Sequence, residues 1–411
     1  MAIFESKTMI ELDYLCLPKG ITPEIFLRDY WQKKPLFIKQ GLPQIKGLLE
    51  PQDIIELAQQ EDVTARLVQT TVEQGKERWT LKTSPLVASD FENLPEKWSV
   101  LVQNLEQWSP ELGALWHAFR FIPQWQRDDI MVSYAPQGGS VGKHYDEYDV
   151  FLVQAYGHRR WQLGKWCDPS TEFKANQPIR IFDDMGQLVF DDVMAPGDVL
   201  YVPSRLSHFG VAQDDCLTVS FGLRYPNLGD LLAGVNHSLN HTSPHFNASE
   251  LTIPLRLNPA EQPLAKLDDA MVQAMKHALL DTLSQSAEFD KLFKQAVASA
   301  VSIRRYELLE SDDDYYPDEL AEVLQAGAKI MQDNNCKMLY TEQPFAFYIN
   351  GEWLDELNET ESAVLTFLAN GNALDWHAFT DFVSSDDDMA QTLLLDSLCN
   401  WLENGWLYLQ A

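Results

Sequence analysis

Between Asp129 and Arg224 the sequence breaks into "DIMVSYA", "DVFLVQAY", "RRWQLG", "IRIFDD", "QLVFDDVM", "DVLYVP" and "LTVSFGLR", divided by Gly, Pro and Asp turns. Seven strand-like runs within about a hundred residues read as a small antiparallel barrel or sandwich. Within it, "AYGHRRW" predicts a tight hairpin turn at Gly157-His158.

The flanks have a different texture, and 411 residues leave room for two or three domains. Thr22 as N-cap and Pro23 at the first helical position predict a short helix ending before Pro35. A second helix starts at Pro51-Gln52-Asp53, and "TARLVQTTV" and "RWTLKT" lean towards strand. A Leu- and Trp-rich helix is expected over "LPEKWSVLVQNLEQW", and another after Ser109-Pro110. Beyond Pro226 the pattern turns helical, with Met271, Met275 and Leu279 at four-residue steps on one face. The last hundred or so residues combine helical runs with a terminal "GWLYLQ" strand, a winged-helix-like order. The expected organisation is α+β: a lead-in over 1–100, a barrel over 101–228, a helical segment over 229–305 and an acidic winged-helix-like domain over 306–411.

Charge narrows the partners. The net charge is -30, and from Glu307 onward 22 acidic residues face two lysines and no arginine. Such a chain lacks the cations that neutralise a nucleic-acid backbone, whatever a winged helix usually suggests, so no direct nucleic-acid binding is expected. It suits a basic protein partner, as well as simple solubility. The five cysteines (Cys16, Cys167, Cys216, Cys336, Cys399) are scattered without a C-x-x-C pair, which fits the cytoplasm. "MAIFESKTMIELDY" carries acids where a secretory signal has a basic region, and no run is long enough to span a membrane.

The chemistry gathers in "GGSVGKHYDEYDVF" and "APGDVLYVPSRLSHFG". His144 and Asp146 are two residues apart, so on a strand they share a face. His208 follows His144 by 64 residues, enough for an antiparallel barrel to return beside it. A lone His-x-Asp is a weak signal in a chain with nine histidines and 61 acids. Two imidazoles and a carboxylate together form the facial triad of non-haem Fe(II) oxygenases. The glycine spacing agrees: Gly138 lies six residues before His144, Gly197 six before Pro203, and Pro203 five before His208. These match the two cupin motifs, with Arg205 where many cupins have glycine. Arg159, fifteen residues after His144, supplies a fork for a carboxylate, pointing to 2-oxoglutarate as co-substrate. Strand alternation with Trp161 and Leu163 favours Arg159 over Arg160 as the inward arginine.

At these residues the chain resembles the JmjC-domain 2-oxoglutarate oxygenases. Within them it is similar to the bacterial ribosomal oxygenases, whose opening also resembles "FLRDYWQKKPLFI". The resemblance implies a double-stranded β-helix (JmjC/cupin-like jelly roll) core with N-terminal helices, a helical dimerisation segment and an acidic winged-helix-like domain. It places the iron ligands at His144, Asp146 and His208 and the co-substrate contacts at Arg159 and Ser220. It implies a homodimer that hydroxylates an arginine of a basic ribosomal protein, protein sixteen of the large subunit. Histidine hydroxylation, demethylation, a cupin enzyme that does not use 2-oxoglutarate, and a non-catalytic acidic adaptor are the competing readings.

Overall fold

The computed structural model describes residues 14–240, 246–251, 267, 269–304, 314–343, 345–384 and 387–410. The acidic opening segment before Tyr14, the helical run before residue 267, and Asp312, Asp313 and Asp386 of the two Asp triplets lie outside the described residues. The chain forms two compact units that divide between Tyr225 and Pro226, with Asp333–Asn335 counted in the first.

The first unit contains helices α1 (Pro23–Asp29), α2 (Pro51–Leu57) and α3 (Pro110–Ala114). Its strands are β1 (Leu36–Ile38), β2 (Ala65–Glu73), β3 (Lys76–Thr83), β4 (Lys97–Val102), β5 (Arg127–Ala135) and β6 (Asp149–Tyr156). They continue with β7 (Arg159–Trp166), β8 (Phe190–Met194), β9 (Val199–Val202), β10 (Leu206–Ala212) and β11 (Cys216–Leu223). The helix starts follow local chemistry. Thr22 Oγ1 accepts from the Ile25 amide and Ser109 Oγ from Leu112, both at 3.3 Å, with proline next in each case.

The strands form an antiparallel sheet of eight, ordered β1-β9-β6-β11-β5-β4-β2-β3, and a second of three, β10-β7-β8. Side chains alternate between the faces of the larger sheet. Ile130, Val132, Phe151, Val153, Val219 and Phe221 pack outward with Phe26, Trp116 and Phe119 from the helical layer. Phe151 is fully buried there, and its truncation to alanine would cost about 3–5 kcal/mol. Val150, Leu152, Leu200 and Val202 point the other way and meet Trp161, Leu163, Met194 and Leu206 of the smaller sheet. The two sheets thus close over a lumen as a double-stranded β-helix.

Four local expectations are corrected. Residues 94–108 are not a helix: Lys97–Val102 is strand β4, and Leu105–Gln107 a short 3-10 turn. Its apolar run fits between β2 and β5, so tertiary pairing overrides a helical reading. "IRIFDD" forms no strand, although Ile181 and Phe182 are buried. Leu206–Ala212 is the additional strand. Gly157-His158 is no hairpin, because β6 and β7 belong to different sheets; it is the corner between them, with Gly157 at φ +57°.

The second unit holds α4 (Leu228–Leu239), α5 (Ala248–Leu251), α6 (Asp269–Gln285), α7 (Ala287–Ser302), α8 (Pro317–Gln325), α9 (Glu359–Ala369), α10 (Trp376–Phe382) and α11 (Asp388–Glu403). Its strands are β12 (Lys329–Gln332), β13 (Met338–Glu342), β14 (Phe345–Ile349), β15 (Glu352–Leu354) and β16 (Leu407–Gln410). The terminal strand pairs with β12, and Leu320, Leu365, Phe379, Leu398 and Trp401 form the core beneath. Helix α4 crosses α7 so closely that a Cβ on Gly234 would lie 2.9 Å from the Ala296 carbonyl oxygen. None of the helices among the described residues is long and apolar enough to cross a membrane.

Candidate metal and co-substrate site

His144 lies in a loop rather than in a strand, contrary to the sequence expectation; an isolated antiparallel bridge to His208 on β10 holds it. Each backbone amide donates to the other residue's carbonyl, at 3.1 and 2.8 Å. The preceding loop needs its glycines. Gly142 sits at φ +85°, and a Cβ there would come within 2.6 Å of the Ile181 side chain.

The side chains then present lone pairs to one point. His144 Nδ1 is 2.9 Å from the Gly142 carbonyl oxygen, and His208 Nδ1 is 3.1 Å from that of Leu206. A carbonyl only accepts, so each Nδ1 donates, and in the neutral imidazole that tautomer leaves Nε2 free to ligate. Asp146 Oδ2 stands 3.5 Å from His208 Nε2, and one ligand atom from each of the three residues lies within 4.8 Å of the others. Two imidazole nitrogens and a carboxylate oxygen converging on one point are a donor set that suits a divalent metal. Burial and the neighbouring His208 lower the His144 pKa to about 4, keeping it neutral and able to ligate. Burial pushes the Asp146 carboxyl up, but the imidazoles outweigh it and leave it below its usual value.

Arg205, where the cupin pattern carries glycine, adopts φ +64°. The left-handed turn lets its amide donate to the Asp146 carbonyl at 2.7 Å, while its side chain binds Glu147 at 2.7 Å.

The two candidate arginines point in opposite directions. Arg160 is exposed and forks onto both Asp191 oxygens at 2.7 Å. Arg159 is only 5% exposed and faces the lumen, where Nη1 donates to Ser133 Oγ at 2.9 Å. Its Nε and Nη2 are buried with no acceptor among the described residues, an arrangement that fits a carboxylate ligand. Ser220 on β11 is buried on the same face, in register with Met131 and Leu152.

Two neighbours had no sequence signal. Tyr148 lies beside Asp146, whose charge, with burial, raises its phenol well above the usual range. Arg66 on β2 also reaches this lumen, its Nη2 lying 3.6 Å from Met131 Sδ.

A JmjC domain model matches residues 114–231, and a ROXA-like winged helix model matches 272–408. The chain is 65% identical over 398 residues to a probable ribosomal oxygenase of Haemophilus influenzae, covering 96% of this chain and 98% of the relative. It is 28% identical over 382 residues to the ribosomal protein uL16 3-hydroxylase of Escherichia coli, covering 92% and 97%. Among solved structures, it matches Escherichia coli YcfD with a TM-score of 0.71 at 27% identity, over 95% of this chain and 99% of that one. A structure of YcfD, a ribosomal oxygenase, in complex with cobalt and 2-oxoglutarate matches with a TM-score of 0.69 and the same identity and coverage.

Proposed function

The chain belongs to the ribosomal oxygenase family, with a JmjC domain and a ROXA-like winged helix, and from this we propose that it is an Fe(II)- and 2-oxoglutarate-dependent hydroxylase of an arginine side chain in ribosomal protein uL16. The observation that carries this reading is the juxtaposition in one lumen of a His-Asp-His set whose ligand atoms converge and a buried arginine whose Nε and Nη2 have no acceptor among the described residues.

His144, Asp146 and His208 would hold the metal on one side, leaving adjacent positions open. Iron(II) bound there supplies the redox chemistry that couples oxidation of 2-oxoglutarate by dioxygen to hydroxylation of a C–H bond. The chain's own part is placement. The carbonyls of Gly142 and Leu206 fix both imidazole tautomers. Arg159, steadied by Ser133, would grip the distal carboxylate, with the Ser220 hydroxyl on the same face. The apolar side chains of Val150, Leu152, Trp161 and Leu163 between the two sheets would help to keep water from the reacting centre.

Relatives at both levels of identity bear ribosomal names, and a surface at -30 favours a cationic polypeptide. Arginine rests on the family resemblance. Such a substrate implies work in the cytoplasm. We also infer a homodimer through the helical segment, since Leu228, Leu232, Leu279 and Leu280 stay 48–73% exposed on α4 and α6.

The test is to incubate enzyme, Fe(II) and 2-oxoglutarate with arginine-containing uL16 fragments and map the product by mass spectrometry. A gain of one oxygen on arginine is expected. A gain on histidine, or loss of a methyl group, would overturn the residue assignment; release of succinate without modification of any ribosomal fragment would overturn the target.

A further inference from the structure

We infer that Arg66 is a positioning residue for the co-substrate: its guanidinium receives the carboxylate at the metal end of the 2-oxo acid, while Arg159 receives the distal one. This rests on the reading above that the lumen takes 2-oxoglutarate.

Arg66 forms no ion pair with a carboxylate among the described residues. With 61 acidic residues against 31 basic, carboxylates are plentiful. Arg28, Arg78, Arg160, Arg205 and Arg224 each bind one. Arg66 instead meets the Met131 thioether, a weak acceptor, and its Nε is buried with none among the described residues. Arg159 is in the same condition. A buried guanidinium N–H without an acceptor is costly, so two of them in one lumen mark places kept for a ligand with anionic groups.

Their spacing identifies the ligand class. Arg159 rests on Ser133 and Arg66 on Met131, alternate residues on the lumen face of β5. Two residues along a strand span ~7 Å. The four C–C bonds of a five-carbon diacid, ~1.5 Å each, extend ~5 Å between the terminal carbons and further between their oxygens. The Arg66 end is the metal end: Met131 aligns through Ser220 with Leu152, Ser133 through Thr218 with Gln154, and β6 begins at Asp149, just after the ligand Asp146. Ser220, in register with Met131, adds a hydroxyl there. The side chain of a substrate arginine is a poor alternative occupant, because like charges repel in a buried site.

The experiment uses Mn(II)-loaded full-length protein without oxygen and measures binding by calorimetry. The probes are 2-oxoglutarate, 2-oxopentanoate (which lacks the distal carboxylate) and a uL16 peptide. Arg66→Met is expected to weaken both acids by roughly tenfold or more, the loss of one charge-assisted contact. Arg159→Met should weaken 2-oxoglutarate and spare 2-oxopentanoate. Arg66→Lys, which keeps the charge but loses the fork, should fall between wild type and Arg66→Met, and it carries the test if Arg66→Met does not fold. Unchanged affinity for both acids in Arg66→Met, or in Arg66→Lys where that variant stands alone, overturns the inference. So does weakening confined to the peptide, which would place Arg66 on the substrate. If wild type binds neither acid, the co-substrate reading falls with it; if wild type binds both and Arg66 is indifferent, only the role of Arg66 falls.

Discussion

His144 and His208 are hydrogen-bonded to each other through their backbones, each amide donating to the other's carbonyl at 3.1 and 2.8 Å. The spacing of the two imidazoles is therefore set by main chain and survives loss of either side chain. His144→Ala, Asp146→Ala or His208→Ala should each reduce metal affinity at least a hundredfold while shifting the unfolding free energy of the metal-free protein by less than about 2 kcal/mol. Metal titration and urea unfolding of the same samples check this; wild-type affinity in Asp146→Ala would remove the carboxylate from the set.

Gly142 couples the loop to the metal. Alanine there would combine a positive φ with a 2.6 Å clash against Ile181 and would move the carbonyl that accepts from His144 Nδ1. Gly142→Ala should lower metal affinity about 10–100-fold, the usual cost of disturbing a ligand's outer hydrogen bond, and should also destabilise the fold. Isothermal titration with Mn(II) reads the first effect and thermal unfolding the second.

Arg159→Met should raise the Michaelis constant for 2-oxoglutarate strongly, whereas Arg160→Ala should leave it unchanged. Arg160, helped by Gln162, holds the Asp191 carboxyl at about 2. A lowered carboxylate pKa stabilises above the unfolded value of about 4, and that contribution is lost as pH falls through about 2. Because Arg160 is exposed and its pair screened by solvent, Arg160→Ala should cost little at neutral pH and nothing well below pH 2. Steady-state kinetics and unfolding at several pH values separate the two arginines.

The site was more legible in the sequence than the fold around it. Glycine, histidine and proline spacings around His144 and His208 are local patterns, and strand alternation was enough to turn Arg159 inward and Arg160 outward. Residues 94–108 misled because Trp98, Leu101 and Leu105 also satisfy a helical period; only pairing between β2 and β5 decides for strand. A tight Gly-His turn reads alike whether its strands pair or part into two sheets, so the β6–β7 corner passed as a hairpin. Arg66 could not be found at all. It meets Met131 across 65 residues, and no local spacing encodes such a contact.

Arg205 carries a left-handed backbone that glycine would adopt without strain. Its side chain offsets that with an ion pair to Glu147, but both partners are about half exposed, so the pair contributes little. Arg205→Gly should therefore be neutral or stabilising by up to about 1 kcal/mol. Arg205→Ala, which keeps the strain and loses the pair, should be destabilising. Urea unfolding of both variants checks the order; an alanine variant more stable than the glycine variant would mean that the turn's strain does not matter.

The apolar face of the helical segment makes the last prediction. Helix α6 has no buried residue, and Val272, Met275, Leu279 and Leu280 are 43–51% exposed. On α4, Leu228 and Leu232 are still more exposed, at 73% and 59%. Scattered single leucines on a surface need no explanation, but a run recurring over successive turns of two helices in one unit does. A second copy of the chain fits it, because an apolar contact can hold together two chains whose net charge of -30 would otherwise keep them apart. Leu232→Glu with Leu279→Glu should then shift the particle from the dimer mass to the 46.9 kDa monomer in light scattering at micromolar concentration. Metal binding should be retained, since neither residue belongs to the unit that carries the triad. A wild-type protein already at the monomer mass would reject the dimer, and a double variant still at the dimer mass would move the interface elsewhere.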